Sequence, residues 1–122
     1  KEISYIHAEA YAAGELKHGT LALVVEGVPV VALCTQGDIM EKTISNIKEI
    51  KARDAYVIGV AQAGMADMAK VCDRLIELPS IHDFYAPILS VVPLQLLAYY
   101  AATARGCDVD QPRNLAKSVT VE

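Results

Sequence analysis

Two short runs rich in valine and small apolar residues, Val28–Thr35 and Ala55–Ala61, bracket a stretch in which Ile39, Met40, Ile44, Ile47 and Ile50 recur among Glu, Lys and Asn. The runs have the length and β-branched content of strands, and the stretch between them has a helical period with one apolar stripe. Strand, helix, strand within about 30 residues is the crossover unit of a parallel sheet, which predicts an α/β fold. Gln36-Gly37-Asp38 reads as the turn after the first strand, with Asp38 placed to cap the helix Ile39–Arg53. The continuous apolar character of Val28–Thr35 predicts a strand buried on both faces. A short third strand is expected at Leu75–Leu78, before Pro79.

The flanks are less regular. Ile3, Ile6, Ala10 and Tyr11 recur at helical spacing up to Gly14, predicting an amphipathic helix over Ile3–Gly14 with Glu2 at its start. Glu15–Gly19 reads as a polar loop carrying Lys17 and His18. Phe84–Arg105 is a long, mostly apolar helix, with Pro87 in its opening turn, Pro93 inside it and Gly106 as its stop. Its apolar surface exceeds what one face of a small sheet covers, so part of it is expected to face another domain or subunit. Cys107–Glu122 has no sustained period and reads as a surface tail. Three strands leave sheet edges unpaired, and the chain reads as part of a larger domain whose upstream portion is missing.

Composition narrows the function classes. With 122 residues, 53% hydrophobic and 21% charged, the chain reads as one globular domain. A net charge of -4 and the lack of a basic run give no general attraction to nucleic acid. The apolar runs at Leu21–Val25 and Val28–Cys34 are too short to span a bilayer, so no membrane partner is expected. Cys34, Cys72 and Cys107 are odd in number and form no C-x-x-C pair, which predicts reduced, small core residues in a cytoplasmic setting. No dinucleotide, nucleoside triphosphate, serine-hydrolase or zinc-protease motif is present, and neither cofactor nor metal is indicated.

Glu2, His18 and Lys117 supply a carboxylate, an imidazole and an amine, the groups that move protons and trap carbonyls. Each has a plain alternative: a solvated charge at a helix start, a polar loop histidine, a solvated tail lysine. His7, on the packing side of the first helix, reads as a satisfied core or interface histidine. His82-Asp83 reads as the start of the long helix, with the aspartate as cap.

The opening Lys1-Glu-Ile-Ser-Tyr-Ile-His-Ala-Glu-Ala-Tyr-Ala-Ala-Gly-Glu-Leu-Lys-His-Gly19, the helix segment Val92-Pro-Leu-Gln-Leu-Leu-Ala-Tyr-Tyr100 and the ending Asp108-Val-Asp-Gln-Pro-Arg-Asn-Leu-Ala-Lys-Ser-Val-Thr-Val-Glu122 resemble the second sugar-isomerase (SIS) domain and tail of the glucosamine-6-phosphate synthase family. The resemblance runs the length of the chain. It implies a three-layer αβα sandwich around a parallel sheet, flavodoxin-like and truncated at its N-terminal side, with the SIS domain over 1–106 and an active-site tail over 107–122. It further implies a part of the enzyme that makes glucosamine 6-phosphate from fructose 6-phosphate and glutamine, inactive by itself, in a homodimer with the first SIS domain and a glutaminase domain.

By the same resemblance Glu2 is the base that moves a proton between C1 and C2, and His18 assists ring opening from the neighbouring subunit. Lys117 engages the sugar carbonyl, Ala116 and Lys117 bind substrate, and Ala116 and Val119 line an ammonia passage. The family usually has proline after Lys-His-Gly, whereas Thr20 stands here and leaves the backbone beside His18 freer. The family's phosphate loop and glutaminase cysteine belong to segments that this sequence does not contain. The alternatives are a sugar-phosphate-binding or dimerisation module, which has no chemical need for all three groups, and a related SIS isomerase or deglycase, which the ending Asn114–Glu122 disfavours.

Overall fold

The computed structural model describes residues 1–113. Its contacts separate into two compact units, one formed by Tyr11–Val91 and the other by Lys1–Ala10 with Val92–Glu122, the latter described up to Arg113.

In the larger unit, β1 (Pro29–Cys34), β2 (Tyr56–Gln62) and β3 (Arg74–Leu78) form a parallel sheet in the order β1-β2-β3. Pro29 pairs with Tyr56 through to Cys34 with Ala61, and Ile58 pairs with Arg74 through to Gln62 with Leu78. Proline is tolerated at Pro29 because the first residue of an edge strand need not donate to the ladder. All three expected strands are present, each within a residue or so of the expected bounds. Only central β2 is deeply buried; β1 is half-buried, and its Leu33 is exposed. The expectation that β1 is buried on both faces is corrected, because an edge strand has a neighbour on one side only.

The connecting helix α1 (Met40–Lys51) buries Thr43, Ile47 and Ile50; of the predicted stripe Ile47 and Ile50 are buried, Met40 and Ile44 pack partly buried against the core, and Ile39 is exposed. Ile47 and Ile50 pack with Cys34, Ala55, Val57, Ala61 and Met68 into the main core. Full burial of an isoleucine stabilises by about 1.5–3 kcal/mol, so this stripe holds helix to sheet. Asp38 does not cap α1. It lies in a short 3-10 turn, Gly37–Ile39, that leads into the helix, and no side chain caps either element. The Thr43 hydroxyl instead donates to the Ile39 carbonyl at 3.1 Å. After α1, Asp54 takes φ 59 and turns the chain into β2, while its carbonyl accepts from the Gly27 N–H at 2.9 Å. Gly27, at φ 77, occupies a conformation that favours glycine.

The predicted helix over Ile3–Gly14 does not form. Glu2–Ser4 is a turn, residues 5–12 are irregular, and 3-10 turns follow at Ala13–His18 and Thr20–Leu23. Ile6 and Tyr11 stay exposed, so the apolar stripe has no surface against which to repay the cost of helix nucleation. Neither 3-10 turn was expected, the first standing where a polar loop over Glu15–Gly19 was read; Leu16, Leu21 and Val24 pack on the core and hold both turns.

The last helix, α2 (Ala86–Ala104), contains Pro93, is preceded by a 3-10 turn at Asp83–Tyr85, and is followed by Gly106 at φ 69. The boundary between the compact units falls within it. Asp83–Ala104 is long and apolar enough to cross a membrane by length and composition alone. Phe84, Ile88, Val92, Leu96 and Tyr100 form an exposed stripe at four-residue intervals. Three parallel strands with their helices fit the three-layer α/β class.

Candidate functional site

Ligands of parallel α/β sheets bind beyond the carboxyl ends of the strands, where the connecting loops gather. Here that end is built around Gln62, the last residue of β2 and only 4% exposed. Its amide nitrogen donates to the Thr35 carbonyl at 2.8 Å and to Asp83 Oδ1 at 3.1 Å. Its amide oxygen accepts from the Ile81 N–H at 2.7 Å. Asp83 Oδ2 accepts from the Gly37 N–H at 2.9 Å. One carboxylate and one amide thus tie the loops that leave β1 and β3 to the end of β2. Sequence reasoning missed this junction, although a glutamine closing an otherwise apolar buried run was its available signal.

Asp83 was expected to cap the long helix. Instead His82 caps the 3-10 turn, its Nδ1 accepting from the Phe84 N–H at 3.2 Å, and the aspartate reaches across to Gly37 and Gln62. A hollow of about 220 Å³ beside this end is lined by Leu33, Cys34, Thr35, Gln36, Ile39 and Thr43. That is smaller than the roughly 300 Å³ at which small-molecule pockets begin.

His18 ends the first 3-10 turn and is exposed, with Gly19 at φ 131 after it. The turn is fastened beneath it: Lys17 pairs with Glu49 of α1 at 2.6 Å, and Leu16 packs on the core. The imidazole is therefore presented to solvent from an anchored support.

In the smaller unit, Glu2 is exposed in the turn Lys1–Tyr5, which closes through the Tyr5 N–H donating to the Lys1 carbonyl at 2.8 Å. Tyr5 takes φ 56 in closing it. Lys1 Nζ donates to Glu9 at 2.6 Å, and the hydrogen bond and charge of Lys1 hold the Glu9 carboxyl below its ordinary range. His7 is 84% exposed at its side chain and lies 3.5 Å from Glu9, so the reading of a satisfied core histidine is corrected; without the helix it has no packing side. Tyr5 also meets the far end of the described chain. Its hydroxyl accepts from the Arg113 N–H at 2.9 Å, and the Arg113 guanidinium lies 4.3 Å from its ring centroid.

Glu2 therefore lies in one unit and His18 in the other, while Ala116, Lys117 and Val119 lie outside the described residues. Of the cysteines, Cys34 is a core residue, and burial pushes its thiol pKa up. Cys72 is half-buried and packs against the core, whereas Cys107, also half-buried, lies outside that core cluster, which corrects its assignment; all three thiols are free.

Against this geometry the similarities to known proteins are informative. A family model described as SIS domain matches residues 1–105. A glutamine–fructose-6-phosphate aminotransferase (isomerizing) of Symbiobacterium thermophilum is 70% identical over all 122 residues, which make up 20% of its length. The corresponding proteins of Clostridium acetobutylicum and Methanosarcina mazei are each 62% identical over the same span and share. The chain therefore spans about one fifth of the length of these relatives. A solved structure, the C-terminal domain of glucosamine-fructose-6-phosphate aminotransferase from Francisella tularensis, superposes with a TM-score of 0.83 at 44% identity, covering 89% of this chain and 31% of that one.

Proposed function

The chain belongs to the SIS domain family, and on that premise we propose that it is the C-terminal sugar-isomerase part of an enzyme that converts fructose 6-phosphate and glutamine to glucosamine 6-phosphate and glutamate. The observation that carries the proposal is 70% identity over every residue of the chain to an aminotransferase of that name.

In this reading Glu2 moves the proton between C1 and C2 of the opened sugar. Protein carboxylates do this when a closed site strips them of water, so the exposed Glu2 needs the rest of the enzyme to cover it. His18 assists ring opening, working from its anchored turn toward the site of a neighbouring subunit. Lys117 engages the sugar carbonyl, Ala116 helps seat the substrate, and Ala116 with Val119 borders the path of ammonia. No cofactor takes part. The phosphate grip belongs to a separate first SIS domain, as the family resemblance implies. The exposed stripe on α2 supports a homodimer in which that surface is covered; the three free cysteines fit a cytoplasmic enzyme.

Calorimetric titration with fructose 6-phosphate tests this, comparing the 122-residue chain with a longer polypeptide that includes the first SIS domain. Binding by the longer polypeptide alone is expected. Tight binding by the short chain would show that its own loops carry the sugar-phosphate site and would overturn the division of labour.

A further inference from the structure

We infer that Tyr5 and Arg113 are positioning residues that clasp the stem of the C-terminal tail onto the turn that bears Glu2. The inference rests on the function proposed above, in which Glu2 and Lys117 act on one sugar. Tyr5 lies three residues after Glu2, and Arg113 lies four residues before Lys117.

Two different parts of Tyr5 hold Arg113: the phenol oxygen accepts its backbone N–H at 2.9 Å, and the ring faces its guanidinium at 4.3 Å. The partners are 108 residues apart in sequence, so the contact closes nearly the whole described chain on itself. A second tie lies beside it, the Cys107 thiol donating to the Ser4 carbonyl at 3.9 Å. Between these anchor points Asp108 Oδ1 accepts from the N–H groups of Asp110 and Gln111, both at 3.0 Å, which folds the stem locally. The stem is thus held against the Glu2 turn up to Arg113. The clasp is exposed, so it adds little to global stability. Its effect falls on where the tail starts, and catalytic rates depend steeply on the placement of reacting groups.

The test uses the full-length polypeptide that contains this domain, assayed for glucosamine 6-phosphate formation with fructose 6-phosphate and glutamine, together with its thermal unfolding. Tyr5→Leu removes both contacts and is expected to lower kcat roughly tenfold, about the size of one lost hydrogen bond at the top of its range. The KM for fructose 6-phosphate and the melting temperature should stay near those of the unsubstituted protein. Tyr5→Phe keeps the ring and should recover part of the loss. Arg113→Ala combined with Tyr5→Leu should be no slower than Tyr5→Leu alone, because the two side chains act as one unit. Unchanged kcat in Tyr5→Leu overturns the inference. So does a parallel fall in kcat and melting temperature that Tyr5→Phe does not relieve, which marks a purely structural contact. An unsubstituted full-length protein that forms no glucosamine 6-phosphate refutes the proposed function itself, and the positioning role falls with it.

Discussion

Replacing Gln62 by leucine keeps nearly the same volume and removes one amide. That amide makes three hydrogen bonds, to the Thr35 carbonyl at 2.8 Å, to Asp83 at 3.1 Å and from the Ile81 N–H at 2.7 Å. Asp83 keeps the Gly37 N–H, but the Thr35 carbonyl and the Ile81 N–H lose a partner in a part-buried setting. A stranded buried polar group costs about 1–3 kcal/mol, so two at the lower end of that range cost about 2–4 kcal/mol. The added apolar surface of leucine offsets roughly 1 kcal/mol. Gln62→Leu should therefore destabilise by about 1–3 kcal/mol, read as a lower urea midpoint by circular dichroism at pH 7 with an unchanged slope. Gln62→Glu separates hydrogen bonding from shape, since it keeps an acceptor for Ile81 but sets a second carboxylate about 3 Å from Asp83. Folding then disfavours the charged form of the new group, so the folded state binds the extra proton more readily than the unfolded one. Its destabilisation relative to wild type should be largest at pH 7 and shrink towards pH 4. A Gln62→Leu protein as stable as wild type, or a Gln62→Glu protein with the same deficit at both pH values, would refute the view that this amide ties the two loops to the end of β2.

Other consequences are open to equally direct measurement. The Asp73 carboxyl is held below its ordinary range first by the Lys51 ammonium and then by the Val57 N–H, so its contribution is complete at neutral pH and lost as pH falls through its folded value; in Asp73→Asn the urea midpoint should decline less between pH 7 and pH 3 than in wild type. A Cβ on Gly59 would stand 2.9 Å from Met68 Cε, 3.1 Å from Cys72 Sγ and 3.3 Å from Leu75 Cδ1, so Gly59→Ala should destabilise by about 1–3 kcal/mol in the same denaturation assay. Cys34, 2% exposed and with its thiol pKa raised by burial, should react with an aromatic disulfide reagent only as the chain unfolds, whereas the half-buried Cys72 and Cys107 react in the folded protein. In the full-length enzyme Glu2→Gln should lower kcat by roughly 10²–10⁴ with the fold intact by circular dichroism, the usual loss for a general base; wild-type turnover would remove Glu2 from the mechanism.

The larger unit was legible in the sequence wherever a local period coincided with burial. The Ile47 and Ile50 stripe and the three apolar runs led to α1 and to β1, β2 and β3, because in each the residues that repeat are the residues that pack. The period of Ile3, Ile6, Ala10 and Tyr11 is just as regular, yet no helix follows, since a stripe stabilises a helix only when another surface covers it. Depth of burial along β1 depended on its edge position, which no run of valines specifies. For the candidate site the sequence offered the chemical groups, Glu2, His18 and Lys117, by residue type, and the resemblance assigned their roles. Tertiary structure decided which partners other side chains find. Asp83 bypasses the helix that it adjoins and joins Gln62 to Gly37, and Tyr5 meets Arg113 across 108 residues. Local order is written in neighbours a few residues apart, whereas these contacts depend on how far the chain has already folded back on itself.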